Sequence, residues 1–171
     1  MFHIYQKTLS KKVSFSGIGL HSGKNSTINI FPANEDEGIV FKRIDLNKNN
    51  VIKASYKNVS SARLCTTLQN SNGVKVSTVE HLLAALYITG IDNALIEIDN
   101  EEVPILDGSA KIFIEKIISA GLDVSSSPIK IIKINKKIRY SDGERFITIK
   151  PSTLSLDIDF ELKYENKIIG N

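Results

Sequence analysis

The spacing of apolar residues changes at Ser77, and that change limits what this chain can fold into. Before it, apolar and polar residues alternate. Thr27-Ile28-Asn29-Ile30-Phe31 is stopped by Pro32, Ile39 to Ile44 reads as a second strand and Val51 to Val59 as a third. Another runs through Thr66 to Leu68 and on to Val76 after an Asn72-Gly73 turn. A period of two belongs to a strand with one buried face. Residues 13–32 read as strand, turn and strand around Gly17, Gly19 and Gly23.

From Ser77 the spacing lengthens to that of a helix. Ser77-Thr78-Val79-Glu80 has the form of a capping box, with Ser77 as N-cap and Glu80 at the third helical position. Leu82, Leu83, Ala85, Leu86 and Ile88 form the expected buried stripe, and Gly90 ends the helix. Asn93 to Ile98 returns to a strand, which Asp99-Asn100 turns into Glu101-Glu102-Val103. Asp107-Gly108 is a turn, and Ser109 caps a second helix from Ala110 to about Ala120, with Ile112, Phe113, Ile117 and Ile118 as its apolar positions and Gly121 as its stop. Strands with helices on one face predict an α+β domain over residues 1–124, a two-layer sandwich of a mostly antiparallel sheet with two helices.

Ser125-Ser126-Ser127-Pro128 reads as a linker. Beyond it, residues 129–171 show strands only. Lys130 to Tyr140 and Glu144 to Lys150 flank an Asp142-Gly143 hairpin turn, and Leu154, Leu156, Ile158, Phe160 and Leu162 alternate with polar residues. The bare apolar face of that last strand calls for a covering layer. The expectation is the incomplete start of a second, similar α+β domain.

Composition removes several function classes. At 42% hydrophobic and 24% charged the chain can bury a core, and its net charge of +3 is mild. Lys11-Lys12 and Lys136-Lys137 fall in strand-like segments with few aromatics, so they read as solvated faces and not as a nucleic-acid surface. A single cysteine, Cys65, precludes an internal disulfide and suits a reducing cytosol. Met1 to Ser10 has no apolar signal-peptide region, and no run approaches the roughly 20 apolar residues of a membrane span. A cytoplasmic protein, not an integral membrane protein, is expected.

Three histidines are present: His3 near an end expected to fray, His21 and His81. His81 falls in the first turn of a helix beside Glu80. The positive end of a helix disfavours imidazolium, which keeps the ring available to a metal, and stabilises the neighbouring carboxylate. One residue can hold a metal while the other takes a proton from water. The simpler reading is that Glu80 closes a capping box and His81 is a first-turn surface residue. No His-Glu-x-x-His pattern exists, because Glu precedes His and position 84 is Ala84. Gly17-Ile18-Gly19-Leu20-His21-Ser22-Gly23 fails as a dinucleotide fingerprint at Ser22 and as a phosphate loop at Ile18 and Asn25, which leaves a tight turn. Taken alone, Cys65 reads as a packed thiol and Asp107-Gly108-Ser109 as a turn with a cap. A catalytic zinc generally takes three protein ligands. His81 offers one, and His21 is a second histidine that no spacing requires.

Read together, Gly17 to Gly23, Leu64-Cys65-Thr66-Thr67-Leu68, Ser77-Thr78-Val79-Glu80-His81-Leu82 and Pro104-Ile105-Leu106-Asp107-Gly108-Ser109-Ala110 resemble the UDP-3-O-acyl-N-acetylglucosamine deacetylases, zinc enzymes of early lipid A synthesis in Gram-negative bacteria. The resemblance covers essentially the whole chain and is densest from about 13 to 121. It implies two similar α+β domains facing each other across the active site. It implies Zn2+ as cofactor, with His81 as a ligand and Glu80 as the general base that takes the proton of the water attacking the substrate's 2-acetamido carbonyl, so that acetate leaves and a free amine remains. It further implies a supporting role for His21, a cleft position for Cys65, contact between Arg145 and the nucleotide phosphates, and stacking of Tyr164 on uracil. The family's other ligands, a His-x-x-x-Asp motif, and its further catalytic groups come from the second domain. No histidine follows His81 here. The expected partner is therefore the missing C-terminal domain of the same protein, and this chain alone is expected to be poorly active. Two other readings stand beside this one: a non-catalytic module binding a nucleotide-sugar or a protein through an open strand edge, and a purely structural domain with Glu80 as a cap.

Overall fold

A computed structural model describes residues 4–153 and 156–161. The chain divides into two compact units, Met1–Ile129 and Lys130–Asn171.

In the first unit the strands are β1 (Tyr5–Leu9), β2 (Val13–Ile18), β3 (Asn25–Pro32), β4 (Ile39–Arg43), β5 (Val51–Lys53), β6 (Val59–Ser61), β7 (Thr67–Gln69), β8 (Lys75–Ser77), β9 (Ala94–Ile98) and β10 (Leu122–Pro128). The helices are α1 (Glu80–Thr89) and α2 (Lys111–Ala120). The main sheet has the order β2-β3-β9-β4-β5 and is antiparallel except where β4 runs parallel to β9. Parallel neighbours need a long crossover, and the connection from β4 to β9 carries β5 through β8 and α1.

Register converts alternation into two faces. Phe15 lies opposite Ile28 and Ile28 opposite Ile98, while Ile30, Ile96, Phe41 and Ile52 align in turn. All seven are buried, and they join Leu82, Leu86, Phe113 and Ile117 of the helices in one core. The opposite face is mixed: Ser14 bonds Asn29, Ser16 bonds Thr27 and Lys42 pairs with Glu97 at 3.0 Å, while Phe31, Leu95 and Val40 align half-buried across it. The architecture is α+β, a mostly antiparallel sheet with both helices on one face. Within the helical layer, Phe113 sits tilted against Phe15 with ring centroids 4.8 Å apart. Each such side chain, fully buried, stabilises the fold by about 1.5–3 kcal/mol. Gly90 ends α1 with φ 77° and donates to the Leu86 and Tyr87 carbonyls, a left-handed stop that glycine adopts without strain.

Four expectations need correction. Ser77 does not cap α1. It closes β8 and its N–H bonds the Glu101 carbonyl at 2.8 Å, while Val79 stands at the helix start without a side-chain cap. Ser77 is taken by strand pairing, and the chain turns into the helix at Thr78, whose φ is 56°. Ile88 is 65% exposed and lies off the buried stripe formed by Leu82, Ala85 and Leu86. The stretch 51–59 is broken by a 3-10 turn at Tyr56–Asn58 that Ser55 caps. Residues 125–128 are strand and not linker: β10 pairs antiparallel with β1, Gln6 Nε2 donates to the Pro128 carbonyl at 3.0 Å, and Ser126 N–H donates to Glu35. Three serines and a proline in a row need not be a loose connection when an edge strand supplies their backbone partners.

The second unit contains β11 (Ile138–Asp142) and β12 (Arg145–Ile149), an antiparallel hairpin with Gly143 at φ 58°. Asp142-Gly143 forms the expected turn, and the Arg139 guanidinium stacks over the Phe146 ring at 3.9 Å. β11 is shorter than the expected strand from Lys130. The alternating segment at 156–161 pairs with no strand among the described residues, and positions 154, 155 and 162 lie outside them. Alternation marks which face would be buried, but a strand forms only against a neighbour. No described helix is long and apolar enough to cross a membrane.

Candidate active site

Hydrogen bonds join all four sequence segments around the N-terminal end of α1. Val79 N–H donates to the Thr66 carbonyl at 3.4 Å, and Thr66 N–H donates to Glu80 Oε2 at 3.1 Å. Glu80 is therefore not the return arm of a capping box; its carboxylate is held by the segment before β7. Among the described residues its other oxygen accepts no hydrogen bond, and neither does the His81 ring take part in one. Both side chains are half-buried. Their adjacent positions in the first turn place a carboxylate and an imidazole both at the positive end of the helix.

Cys65 is half-buried, with Sγ 3.8 Å from Thr67 Oγ1. His21 is exposed, in a tight turn closed by Gly19 N–H to the Lys24 carbonyl at 2.9 Å and Gly23 N–H to the Gly19 carbonyl at 3.0 Å. The fourth segment joins this turn through Ile105 N–H, which donates to the Ile18 carbonyl at 3.0 Å. Arg145 begins β12 in the second unit, in register with Asp142. Tyr164 and His3 lie outside the described residues.

Sequence reasoning missed Glu102. It is only 3% exposed, and its carboxylate accepts from His21 N–H at 2.9 Å, Ser22 N–H at 2.7 Å and Thr78 Oγ1 at 2.8 Å. Burial alone would raise its pKa, but these donors and the Ser22 hydroxyl outweigh it and lower the pKa to about 2. No signal separates Glu102 from its exposed neighbour Glu101 in the sequence; only the fold does.

Backbone strain gathers at the same place. Leu64, Thr78 and Leu106, none of them a residue type suited to left-handed backbone, have φ of 69°, 56° and 53°. Each belongs to a different one of the four segments. Such conformations cost roughly 1–3 kcal/mol apiece and tend to cluster at functional sites. Among the described residues no group of three His, Cys, Asp or Glu side chains is placed to hold a metal.

Fold and site together define an α+β domain that presents a carboxylate–imidazole pair at one helix end, buttressed by three strained turns. The family model described as UDP-3-O-acyl N-acetylglycosamine deacetylase (LpxC) matches residues 6–171, and the chain belongs to this family. Proteins named UDP-3-O-acyl-N-acetylglucosamine deacetylase are similar to it throughout. That of Geotalea uraniireducens is 46% identical over 166 residues, which is 97% of this chain and 53% of the relative. That of Shewanella violacea is 42% identical over 98% of this chain and 54% of the relative. That of Actinobacillus pleuropneumoniae serotype 3 is 39% identical over 98% and 55%. The chain thus spans about half the length of the curated relatives it matches.

Proposed function

We propose that this chain carries the first domain, and the start of a second, of a zinc-dependent deacetylase acting in the cytoplasm on UDP-3-O-acyl-N-acetylglucosamine. The reaction hydrolyses the 2-acetamido group to a free amine and acetate, a step of lipid A biosynthesis. Family membership supports the substrate class. The observation that carries the residue assignment is Glu80, held through one oxygen by Thr66 and open at the other, beside a half-buried His81.

A neutral imidazole nitrogen is a normal zinc donor, so His81 fits as one ligand. The other donors are assigned to the second domain of the complete protein. When bound, zinc supplies the Lewis acidity that makes water a competent nucleophile near neutral pH. Glu80 accepts the proton of the attacking water on its open oxygen and later delivers it to the leaving amine, while the Thr66 N–H prevents the carboxylate from rotating away. The substrate's diphosphate is assigned to Arg145, its uracil to Tyr164, the cleft wall to Cys65, and a supporting position beside the reacting centre to His21.

The test uses the complete protein. Glu80→Gln keeps the size and one carbonyl oxygen but removes the base. It should lower kcat by about 10²–10⁴-fold with zinc content by atomic emission and the circular dichroism melt unchanged. His81→Ala should lose zinc. An E80Q enzyme within a few-fold of wild type would sink the base assignment.

A further inference from the structure

The carboxylate of Glu102 does more than satisfy its own burial. One oxygen, Oε1, receives both the His21 N–H and the Thr78 hydroxyl; the other receives the Ser22 N–H. Thr78 lies two residues before Glu80, so a single buried oxygen ties the His21 turn to the N-terminal end of α1. The space around the tie is closed. A Cβ on Gly19 would fall within hard contact of both Glu102 Oε2 and Ser22 Oγ, so the turn can pass this close only with glycine there. Thr78 is held at φ 56°, which turns its hydroxyl to the carboxylate at a conformational cost. The stretch holding Glu102 is anchored in turn by Ser77 N–H to the Glu101 carbonyl at 2.8 Å and by Val103 N–H to the Ser77 carbonyl at 3.1 Å. Three chain segments that are remote in sequence therefore meet on one side chain.

We infer that Glu102 is a positioning residue for the deacetylation reaction: it fixes the His21–Ser22 turn against the Thr78–Glu80 corner, so that His21 is presented to substrate in one orientation. This rests on the reading of Glu80 and His81 proposed above. Glu102 itself, buried beneath the turn, touches no reacting atom.

Glu102→Gln in the complete protein tests it. The amide nitrogen of Gln cannot accept from a backbone N–H, so one arm of the tie is lost with little change of volume. Amide hydrogen exchange at His21 and Ser22, read without reference to activity, should speed up in E102Q while α1 and β9 stay protected. kcat/KM should fall about 10- to 100-fold, the range for misplacing a supporting group. The effect should run through His21. In a cycle of E102Q, His21→Ala and the double variant, the double variant should be no slower than H21A alone. Losses that multiply independently, or unchanged exchange at His21 and Ser22, would overturn the inference. If E102Q does not fold, Thr78→Val and Thr78→Ser serve instead: Val should reproduce the loss and Ser, which keeps the hydroxyl, should restore it, and equal behaviour of the two refutes the tie. Glu80→Gln in the same assay separates the two readings. Full activity in E80Q removes the proposed chemistry, whereas an inactive E80Q with an uncoupled E102Q removes only the role of Glu102.

Discussion

A carboxylate buried as deeply as Glu102 stays ionised because its donors are preorganised in two separate segments, the His21–Ser22 turn and the corner at Thr78. This gives a pH dependence of known sign. The folded pKa of about 2 lies below the ordinary 4.5. Its stabilisation is therefore complete above pH 4.5, and is lost as pH falls from there towards 2. A shift of that size corresponds to roughly 3 kcal/mol. Urea titrations followed by circular dichroism at pH 6, 4 and 3 should show the stability gap between wild type and E102Q narrowing with acid. A gap that stays constant would mean the carboxylate charge is not what holds the turn. Asp107, by contrast, is exposed, and the Ser109 N–H that lowers its pKa lies within the same turn, so Asp107 ties no remote segments together.

Elements respond to substitution according to which face they bury. α2 presents Phe113 and Ile117 to the core, both fully buried, whereas Ile118 is 62% exposed. Phe113→Ala should cost about 3–5 kcal/mol, because the ring against Phe15 leaves a cavity the sheet cannot close. Ile118→Ala should stay within about 0.5 kcal/mol. Chemical unfolding of the two variants checks the contrast, and equal losses would contradict the packing described. The helical spacing of 110–120 announced the element but not which two of its five isoleucine and phenylalanine positions are fully buried. α1 shows the same limit: Leu82, Ala85 and Leu86 are buried as spacing predicts, and Ile88 is not. Ser77 shows it at the helix start. A four-residue pattern matched a capping box, yet a strand ladder and the Thr78–Glu102 contact outcompeted the local cap.

For the molecule as a whole, the donor count matters. Among its described residues the chain gathers no three metal-binding side chains, and it spans about half the length of its relatives. On the proposed function, the 171-residue chain alone should retain little zinc after dialysis and should not turn substrate over well. Metal analysis and a deacetylation assay on the purified chain check this, and robust zinc-dependent turnover would overturn the assignment of the remaining ligands to a second domain.

What the sequence determined by itself was whatever depends on near neighbours. The period of two in β3 and β9, the helical spacing from Leu82, the glycine stop at Gly90 and the Asp142-Gly143 turn are local properties, and so is the adjacency of Glu80 and His81 at a helix start. The tertiary structure decided the rest. Whether 125–128 is linker or strand depended on β1, more than 110 residues earlier. Which of two consecutive glutamates is buried depended on His21, Ser22 and Thr78 converging on one of them. Those partners lie 81, 80 and 24 residues away, and no spacing rule spans such a separation. A buried charge is tolerated only where donors from distant segments are already in place.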